Sequence, residues 1–277
     1  MNYKICAFAD EVSNDFSAQI EALKSKNIGY LEIRNLDGKN VADLSVGEAK
    51  SIRERLENEG IRVWSVGSRL GKIGVNDTFA PHLDEFKHTL ELADALGCDK
   101  IRMFSFYIPK EEEPSVYRDT VMERLSRFVE VSEGSKITLC HENEKGIYGD
   151  TAERCLDILK NFPEIRAVFD PANFVQCQED TLLAWQMLEK YVSYLHIKDA
   201  LCDGSIVPAG YGTGNLGEII KRYSAFGEVM TLEPHLVVFE GLQSLERENV
   251  QEREFRFEYA SAKEAFCAAY DALKKLI

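Results

Sequence analysis

The chain has 277 residues, of which 45% are hydrophobic, and a formal net charge of −14. This length suits two ordinary domains or one parallel α/β barrel, and the acidic balance argues against DNA, RNA or anionic lipid as partners, because each requires a basic surface. The seven cysteines include no CxxC pair, no segment approaches the roughly 18 apolar residues of a membrane span, and the amino-terminal segment lacks a signal-peptide core. We therefore expect a cytoplasmic protein that binds neither nucleic acid nor membrane.

Short runs of β-branched and aromatic residues recur along the chain, and a helical pattern follows each of them. These runs predict strands at residues 4–9, 30–35, 62–67, 100–107, 136–143, 166–170, 192–199 and 229–236. In the second helical pattern, Ser45 is the predicted N-cap and Gly60 the predicted stop. Strict alternation indicates parallel strands joined by helical crossovers. Eight units without a glycine-rich phosphate fingerprint predict an α/β fold, a closed (β/α)8 barrel.

No change in composition and no long linker divides the chain, so residues 1–277 are predicted to form a single domain. The highly charged segment 243–265 is interpreted as a solvated face, with an extra helix as the alternative. His82 and His88 lie in the third predicted helix and are expected on its surface or flank. The sequence leaves open whether the protein is a homo-oligomer.

Each of the last four predicted strands ends on a side chain that can bind a metal. The four residues are Glu142, Asp170, His196 and Glu233. Barrel active sites are built at the carboxyl edge of the strands, where neighbouring strands bring their side chains together. A helix cap or a salt bridge would explain each carboxylate singly, but recurrence at one edge favours a shared site. This oxygen-rich donor set suits Mn²⁺, Mg²⁺, Co²⁺ or Zn²⁺.

Five segments, in order "CHENEKG", "VFDPANF", "YLHIKDA", "PAGYGTGNL" and "LEPH", resemble the xylose-isomerase-like sugar phosphate isomerase/epimerase superfamily. The resemblance covers essentially the whole chain. It implies one divalent metal ion per chain, with Mn²⁺ favoured over Mg²⁺, Co²⁺ and Zn²⁺. The implied ligands are Glu142, Asp170, His196 and Glu233. It also implies that Glu142 and Glu233 act as acid and base on a small carbohydrate, moving a proton next to its carbonyl through a metal-bound enediolate.

Four further residues are predicted to bind the substrate: Phe8, Glu32, Asn173 and Lys198. Strand alternation points Lys198 to the side of His196, with pairing to a barrel carboxylate as the alternative. Glu32 ends the second predicted strand and either binds substrate or braces a metal ligand. Phe8 either stacks on the sugar or packs in the core. The same alternation turns His141 away from the interior, so a structural role is expected for it.

Two positions depart from the pattern of ketose epimerases. Many of these enzymes have a histidine where this chain has Asn173, and some have an arginine where it has Cys202. The apurinic endonuclease of the superfamily builds a three-metal cluster from several additional histidines, whereas this chain has five histidines in all. Together with the acidic charge, this count disfavours DNA repair.

We therefore predict an isomerase or epimerase of a sugar or keto-sugar, and the sequence leaves the sugar and its phosphorylation open. One alternative takes the same enolate and expels a β-hydroxyl or a β-linked aglycone, giving a dehydratase or lyase, including C-glycoside cleavage. A second alternative is a barrel that binds sugar without turnover. Loss of Glu142 or Glu233 would have favoured that alternative, but both residues are present.

Overall fold

The computed structural model describes residues 3–239 and 255–277, and its centre is a closed barrel of eight parallel strands. The strands are β1 (Lys4–Ala7), β2 (Tyr30–Ile33), β3 (Arg62–Gly67), β4 (Lys100–Met103), β5 (Thr138–Glu142), β6 (Arg166–Phe169), β7 (Val192–Ile197) and β8 (Val229–Leu232). Each strand pairs with its neighbours in the sequence, and β8 pairs with β1 to close the barrel. The predicted (β/α)8 barrel is confirmed.

Helices connect successive strands. They are α1 (Phe16–Ser25), α2 (Val46–Asn58), α3 (Ala80–Leu96), α4 (Arg118–Ser132), α5 (Ala152–Asn161), α6 (Pro171–Gln176), α7 (Thr181–Leu188), α8 (Leu216–Tyr223) and α9 (Ala262–Lys274). Short 3₁₀ turns lie at Ala9–Glu11, Val41–Asp43, Pro114–Tyr117, Tyr148–Asp150 and Glu189–Tyr191. No helix in the described ranges combines the length and apolar character that crossing a bilayer requires. Residues 243–254 of the charged segment lie outside the described residues.

Local sequence signals account for the beginning and end of α2. The Ser45 side chain accepts a hydrogen bond from the Glu48 backbone N–H, and the Glu48 carboxylate accepts one from the Ser45 N–H at 2.8 Å. This reciprocal capping box satisfies two backbone donors that have no partner inside the helix. Gly60 follows the helix with φ of 75°, a conformation that glycine adopts without steric cost. Both predicted boundary residues are confirmed.

The fourth strand is shorter than the predicted run 100–107, because β4 ends at Met103. The chain after it bonds to the loop that follows β3: the Phe104 N–H donates to Leu70 O at 2.8 Å, and the Phe106 N–H donates to Gly71 O at 3.0 Å. Phe106 has φ of 66°. The aromatic residues after Met103 therefore form part of the barrel rim.

Two small hairpins extend the rim. Asn35–Leu36 pairs with Lys39–Asn40 after β2, and Asp199–Ala200 pairs with Ile206–Val207 after β7. The first hairpin turns at Asp37 and Gly38, whose φ angles are 48° and 79°. Asp-Gly is a preferred pair where both central residues need positive φ.

An apolar floor lies inside the barrel beneath the carboxyl-terminal rim. Strand alternation puts Cys140 on the same side as Glu142, and Tyr194 on the same side as His196. The buried floor cluster consists of Cys6, Cys140, Val168, Tyr194 and Val229. The charged side chains above it therefore have little access to water on their inner side.

His82 and His88 were both expected on the surface or flank of α3. For His82 this expectation is wrong, because the side chain is buried and its Nε2 accepts from the Gly71 N–H at 2.7 Å. His88 is partly exposed, as expected for a flank.

Candidate active site

The four predicted metal ligands converge at the carboxyl-terminal end of the barrel. Glu142 is the last residue of β5, Asp170 follows β6, His196 lies in β7 and Glu233 follows β8. Each offers a ligand atom, these atoms all lie within 4.8 Å of one another, and all four residues are buried. Below, they are called the ligand group. Such a group can hold a divalent metal ion, since buried carboxylates need a positive partner.

His196 lies between three carboxylates. Its Nδ1 is 3.0 Å from Glu142 Oε1 and 3.2 Å from Glu233 Oε2. Its Nε2 is 3.2 Å from Glu32 Oε2. Burial alone would lower the pKa of His196, but these carboxylates, with Glu142 foremost, raise it well above its usual range. The site therefore favours positive charge at the point where the ligand atoms meet.

Asp170 caps a helix with one carboxylate oxygen and forms an ion pair with the other. Its Oδ1 accepts from the Asn173 N–H at 3.0 Å and so caps α6. Its Oδ2 is 2.9 Å from Lys198 Nζ, but it is buried and receives no directed hydrogen bond from the described residues. Burial raises the pKa of Asp170 to about 7, although Lys198 opposes the shift. A buried carboxylate oxygen without a directed hydrogen bond is available to bind a metal ion.

Glu142 is held by an arginine inside the barrel. Arg102 Nη1 donates to Glu142 Oε2 at 3.0 Å, and Asn173 Nδ2 donates to Glu142 Oε1 at 3.3 Å. Burial alone would raise the pKa of Glu142, but His196 and Arg102 outweigh it and lower the pKa to about 2. Glu142 is therefore ionised at neutral pH.

Glu233 is held by a different arginine. Arg34 Nη1 donates to Glu233 Oε1 at 3.0 Å, and Lys198 Nζ donates to Glu233 Oε2 at 3.3 Å. Burial opposes ionisation of Glu233, but Lys198 and His196 lower its pKa well below the usual range. Arg34 also pairs with Asp10 through two bonds of 2.8 and 3.0 Å. It therefore joins the chain beyond β1 and β2 to the chain beyond β8.

Sequence reasoning missed Arg34 and Arg102 as site residues. A signal was present, because each arginine lies next to apolar residues in a predicted strand run, in "YLEIRN" and "KIRMF". A charge inside such a run needs a buried partner.

Glu11, Glu233 and His235 form a second group whose ligand atoms lie within 4.8 Å of one another. Glu11 Oε2 accepts from the His235 N–H at 2.8 Å. Burial raises the pKa of Glu11 to about 8, although Arg34 opposes the shift. The raised pKa favours the protonated form of Glu11 at neutral pH, which makes this group a poorer cation site than the ligand group.

The predicted substrate residues fall into two sets. Asn173 and Lys198 line a cavity of about 150 Å³ at the barrel mouth. Glu32 and Phe8 are not among its lining residues in the described part of the chain. Glu32 is fully buried and accepts from the Tyr194 hydroxyl at 2.8 Å. The Phe8 ring meets the His196 ring edge-on, with 5.4 Å between the centroids.

His141 lies outside the ligand group. Its Nε2 is 2.9 Å from Ser105 Oγ, and the Gly149 N–H donates to the same hydroxyl at 2.8 Å. Burial lowers the pKa of His141 to about 4, so the ring is neutral. The contacts agree with the structural role expected from strand alternation.

The glycine-rich loop after β7 is held by a buried carboxylate. Asp199 accepts from the N–H groups of Gly210, Gly212 and Gly214 at 2.9, 3.0 and 3.0 Å. A Cβ at Gly212 would collide with Asp199 and with Ala200 O. The glycine is therefore required for the close approach of this loop to the strand that carries His196.

Comparison with known proteins gives a family and a set of similar folds. A family model described as "Xylose isomerase-like TIM barrel" matches residues 20–255. The sequence has no match among curated proteins.

Three solved structures illustrate the likeness. The probable 3-DHS dehydratase AsbF, involved in petrobactin synthesis, from Bacillus anthracis has 16% identity and a TM-score of 0.75 over 99% of both chains. D-psicose 3-epimerase with D-tagatose, from Clostridium cellulolyticum H10, has 16% identity and a TM-score of 0.75 over 99% of this chain and 98% of that one. The IOLI protein with a binding zinc atom has 16% identity and a TM-score of 0.73 over 99% and 97%. At these identities the likeness concerns the fold alone.

Proposed function

Because the chain belongs to the xylose isomerase-like TIM barrel family, we propose that it is a divalent-metal-dependent enzyme that isomerises or epimerises a small sugar or keto-sugar. The observation that carries the proposal is the ligand group, whose donor atoms lie within 4.8 Å of one another. When bound there, Mn²⁺, or alternatively Mg²⁺, Co²⁺ or Zn²⁺, would polarise the substrate carbonyl and offset the negative charge that develops on it.

Glu142 and Glu233 are the proposed acid and base. Both are ionised at neutral pH, which is the form that can accept a proton. One glutamate removes the proton from the carbon next to the carbonyl, and the electron pair moves towards the carbonyl oxygen to give an enediolate. Return of the proton to the former carbonyl carbon, while the neighbouring hydroxyl proton moves to the oxygen of that carbon, gives isomerisation. In epimerisation the other glutamate takes a proton from solvent and delivers it to the opposite face, and the first glutamate then releases the proton that it removed. Arg102 and Arg34 hold the two carboxylates in position.

We propose that Asn173 and Lys198 bind substrate oxygens, because both line the cavity. For Glu32 and Phe8 the contacts favour bracing of His196 over substrate contact. Glu32 accepts from His196 Nε2–H at 3.2 Å, which leaves Nδ1 facing the other carboxylates. A carboxylate in this position fixes the ring orientation of a histidine ligand.

The state of Lys198 supports elimination as a second candidate function. Burial would lower the pKa of Lys198, but Asp170 and Glu233 raise it well above its usual range, so Lys198 is an ammonium at neutral pH. After the same first step, this ammonium can protonate a departing β-hydroxyl or β-linked aglycone. The protein would then be a dehydratase or lyase, including one that cleaves C-glycosides.

Deuterium exchange tests the proposal. The metal-loaded protein is incubated with a panel of ketoses in D₂O, and the products are followed by proton NMR and mass spectrometry. An isomerase or epimerase exchanges the α-proton, a lyase also releases water or aglycone, and a barrel that only binds sugar does neither.

Three variants assign the bases in this assay. Glu142→Gln and Glu233→Gln should each abolish exchange. Glu228→Gln is the matched control, because Glu228 precedes β8 at the opposite rim and pairs with Lys4 at 2.7 Å. Full exchange in the Glu233→Gln variant would remove Glu233 from the mechanism.

A further inference from the structure

Three cations that line the cavity alternate with two aromatic rings that pack against them. Arg34 Cζ lies 4.2 Å and Arg102 Cζ lies 5.3 Å from the Phe8 ring centroid. Arg102 Cζ is also 4.8 Å from the Phe104 centroid, and Lys72 Nζ is 4.4 Å from it. All three cations line the cavity, and they are called the cation row below. Rings at these distances stabilise the positive charges and fix their positions.

The charge of the cavity is opposite to that of the whole chain, whose formal net charge is −14. Its lining contains three carboxylates, Glu142, Glu144 and Glu233, and six cations, Arg34, Lys72, Arg102, Lys110, Lys145 and Lys198. Asp10, Glu11 and Asp170 pair with Arg34 or Lys198 but are not among the lining residues, so the excess of cations belongs to the lining itself. A divalent ion in the ligand group adds further positive charge. The cavity therefore attracts anions on a protein that otherwise repels them.

Arg102 has a donor without a protein acceptor. Its Nη1 donates to Glu142 at 3.0 Å and its Nη2 donates to Ser68 O at 3.1 Å. Its Nε is buried and finds no acceptor in residues 3–239 and 255–277. A buried donor in this state is costly unless a ligand supplies the missing acceptor.

Lys72 belongs to the cation row but does not pair with a carboxylate of the ligand group. Its ion pair is with Glu144, at 2.8 Å, and Glu144 does not belong to the ligand group. Lys72 therefore extends the cation row beyond the two glutamates that are proposed to move protons.

We propose that the substrate carries an anionic group, a carboxylate or a phosphate, which the cation row binds while the keto end meets Glu142 and Glu233. This inference rests on the proposed function and specifies the substrate class for the same site. Carboxylate and phosphate oxygens are the acceptors with which guanidinium and ammonium groups form their strongest hydrogen bonds. One such oxygen would satisfy Arg102 Nε.

Equilibrium binding of three matched probes tests the inference. D-Fructose, D-fructuronate and D-fructose 6-phosphate share one ketose end and differ only at C6, which is neutral, a carboxylate or a phosphate. Calorimetric titration of each into the Mn²⁺-loaded protein should show at least one anion binding ten times or more tightly than D-fructose, about 1.4 kcal/mol. The anion that binds more tightly identifies the group. The preference should shrink as salt is added.

Two variants and a control attribute the preference to the cation row. Lys72→Met, and Arg102→Lys, which keeps the charge but loses the planar fork, should each reduce the preference to about twofold. Lys100→Met is the matched control: Lys100 Nζ lies 4.1 Å over the Trp64 ring and pairs with Asp99 at 2.6 Å, but at the amino-terminal end of β4. It should keep the full preference.

The binding results and the exchange results separate the two proposals. The inference is overturned if neither anion binds more tightly than D-fructose to the wild-type protein, including the case in which no probe binds. It is also overturned if the preference survives in both cation-row variants. A clear anion preference without deuterium exchange would leave this inference standing and refute the proposed function instead.

Discussion

Replacing Glu11 with glutamine should change how protein stability depends on pH. Burial raises the pKa of Glu11 from 4.5 to about 8. Between these values the folded state keeps a proton that the unfolded chain has released. The free energy of unfolding therefore falls as pH rises through this interval, and the Glu11 contribution is constant at higher pH. Glutamine is neutral in both states, so the variant lacks this slope.

The magnitude follows from the size of the shift. Each pH unit corresponds to about 1.4 kcal/mol, so a change from 4.5 to about 8 amounts to about 4 kcal/mol at pH 8 and about 5 kcal/mol at higher pH. Glu11 is 4% exposed, so solvent screens the effect little. Glutamine keeps an oxygen for the His235 N–H, which Glu11 binds at 2.8 Å. The variant should therefore gain stability relative to wild type with rising pH and differ from it by about 1 kcal/mol or less at pH 5.

Guanidinium denaturation of the two metal-free proteins at pH 5, 6, 7 and 8 measures this difference. Metal is removed because an ion in the ligand group would add charge close to Glu233. Glu153→Gln, at an exposed position in α5, serves as the control and should follow the wild-type curve. A wild-type-minus-variant difference that is the same at every pH would refute the assignment of a buried, protonated Glu11. A constant offset would report only a lost contact.

Three further predictions concern the metal site and the packing around it. Glu32→Gln should weaken Mn²⁺ binding about 10- to 100-fold in calorimetry, because Glu32 accepts from His196 Nε2 at 3.2 Å; unchanged affinity would mean that other contacts hold the ring. Mn²⁺ should raise the melting temperature of the wild-type protein in a concentration-dependent way, and Asp170→Ala and His196→Ala should abolish that shift; a shift that persists in both would place the ion elsewhere. Gly149→Ala should destabilise the protein by about 1–3 kcal/mol in thermal melts, because a Cβ there would stand 2.8 Å from His141 Nε2; wild-type stability would mean that the imidazole moves aside freely.

The barrel could be predicted because its signals are local. Each strand carries its own apolar run and each following helix its own periodicity and caps, as Ser45 and Gly60 show for α2. The ligand group could be predicted because barrel geometry turns a periodic position in the sequence into a shared edge in space.

Features that depend on neighbours distant in sequence could not be predicted in the same way. Arg34 and Glu233 are 199 residues apart, and nothing local connects them. The helix α6 was not predicted from the sequence. Its signal was Asp170 as a cap followed by Pro171 at the first helical position. The rim at Phe106 was read as strand because aromatic residues favour strands, whereas backbone bonding to the loop after β3 decides its conformation.

The contacts of Arg34 also have a consequence for biosynthesis. Arg34 bridges Asp10 and Glu233, and Glu233 follows β8, the strand that closes the barrel against β1. During translation Asp10 and Arg34 emerge from the ribosome early. Glu233 emerges only after nearly the whole polypeptide has been made, so the complete set of contacts cannot form before then. Contacts between residues so far apart in sequence are costly to form early. A truncated chain that ends before β8 contains three residues of the ligand group, but it lacks both Glu233 and the strand that closes the barrel. Metal binding at the proposed site would therefore report whether a newly made chain has completed its fold.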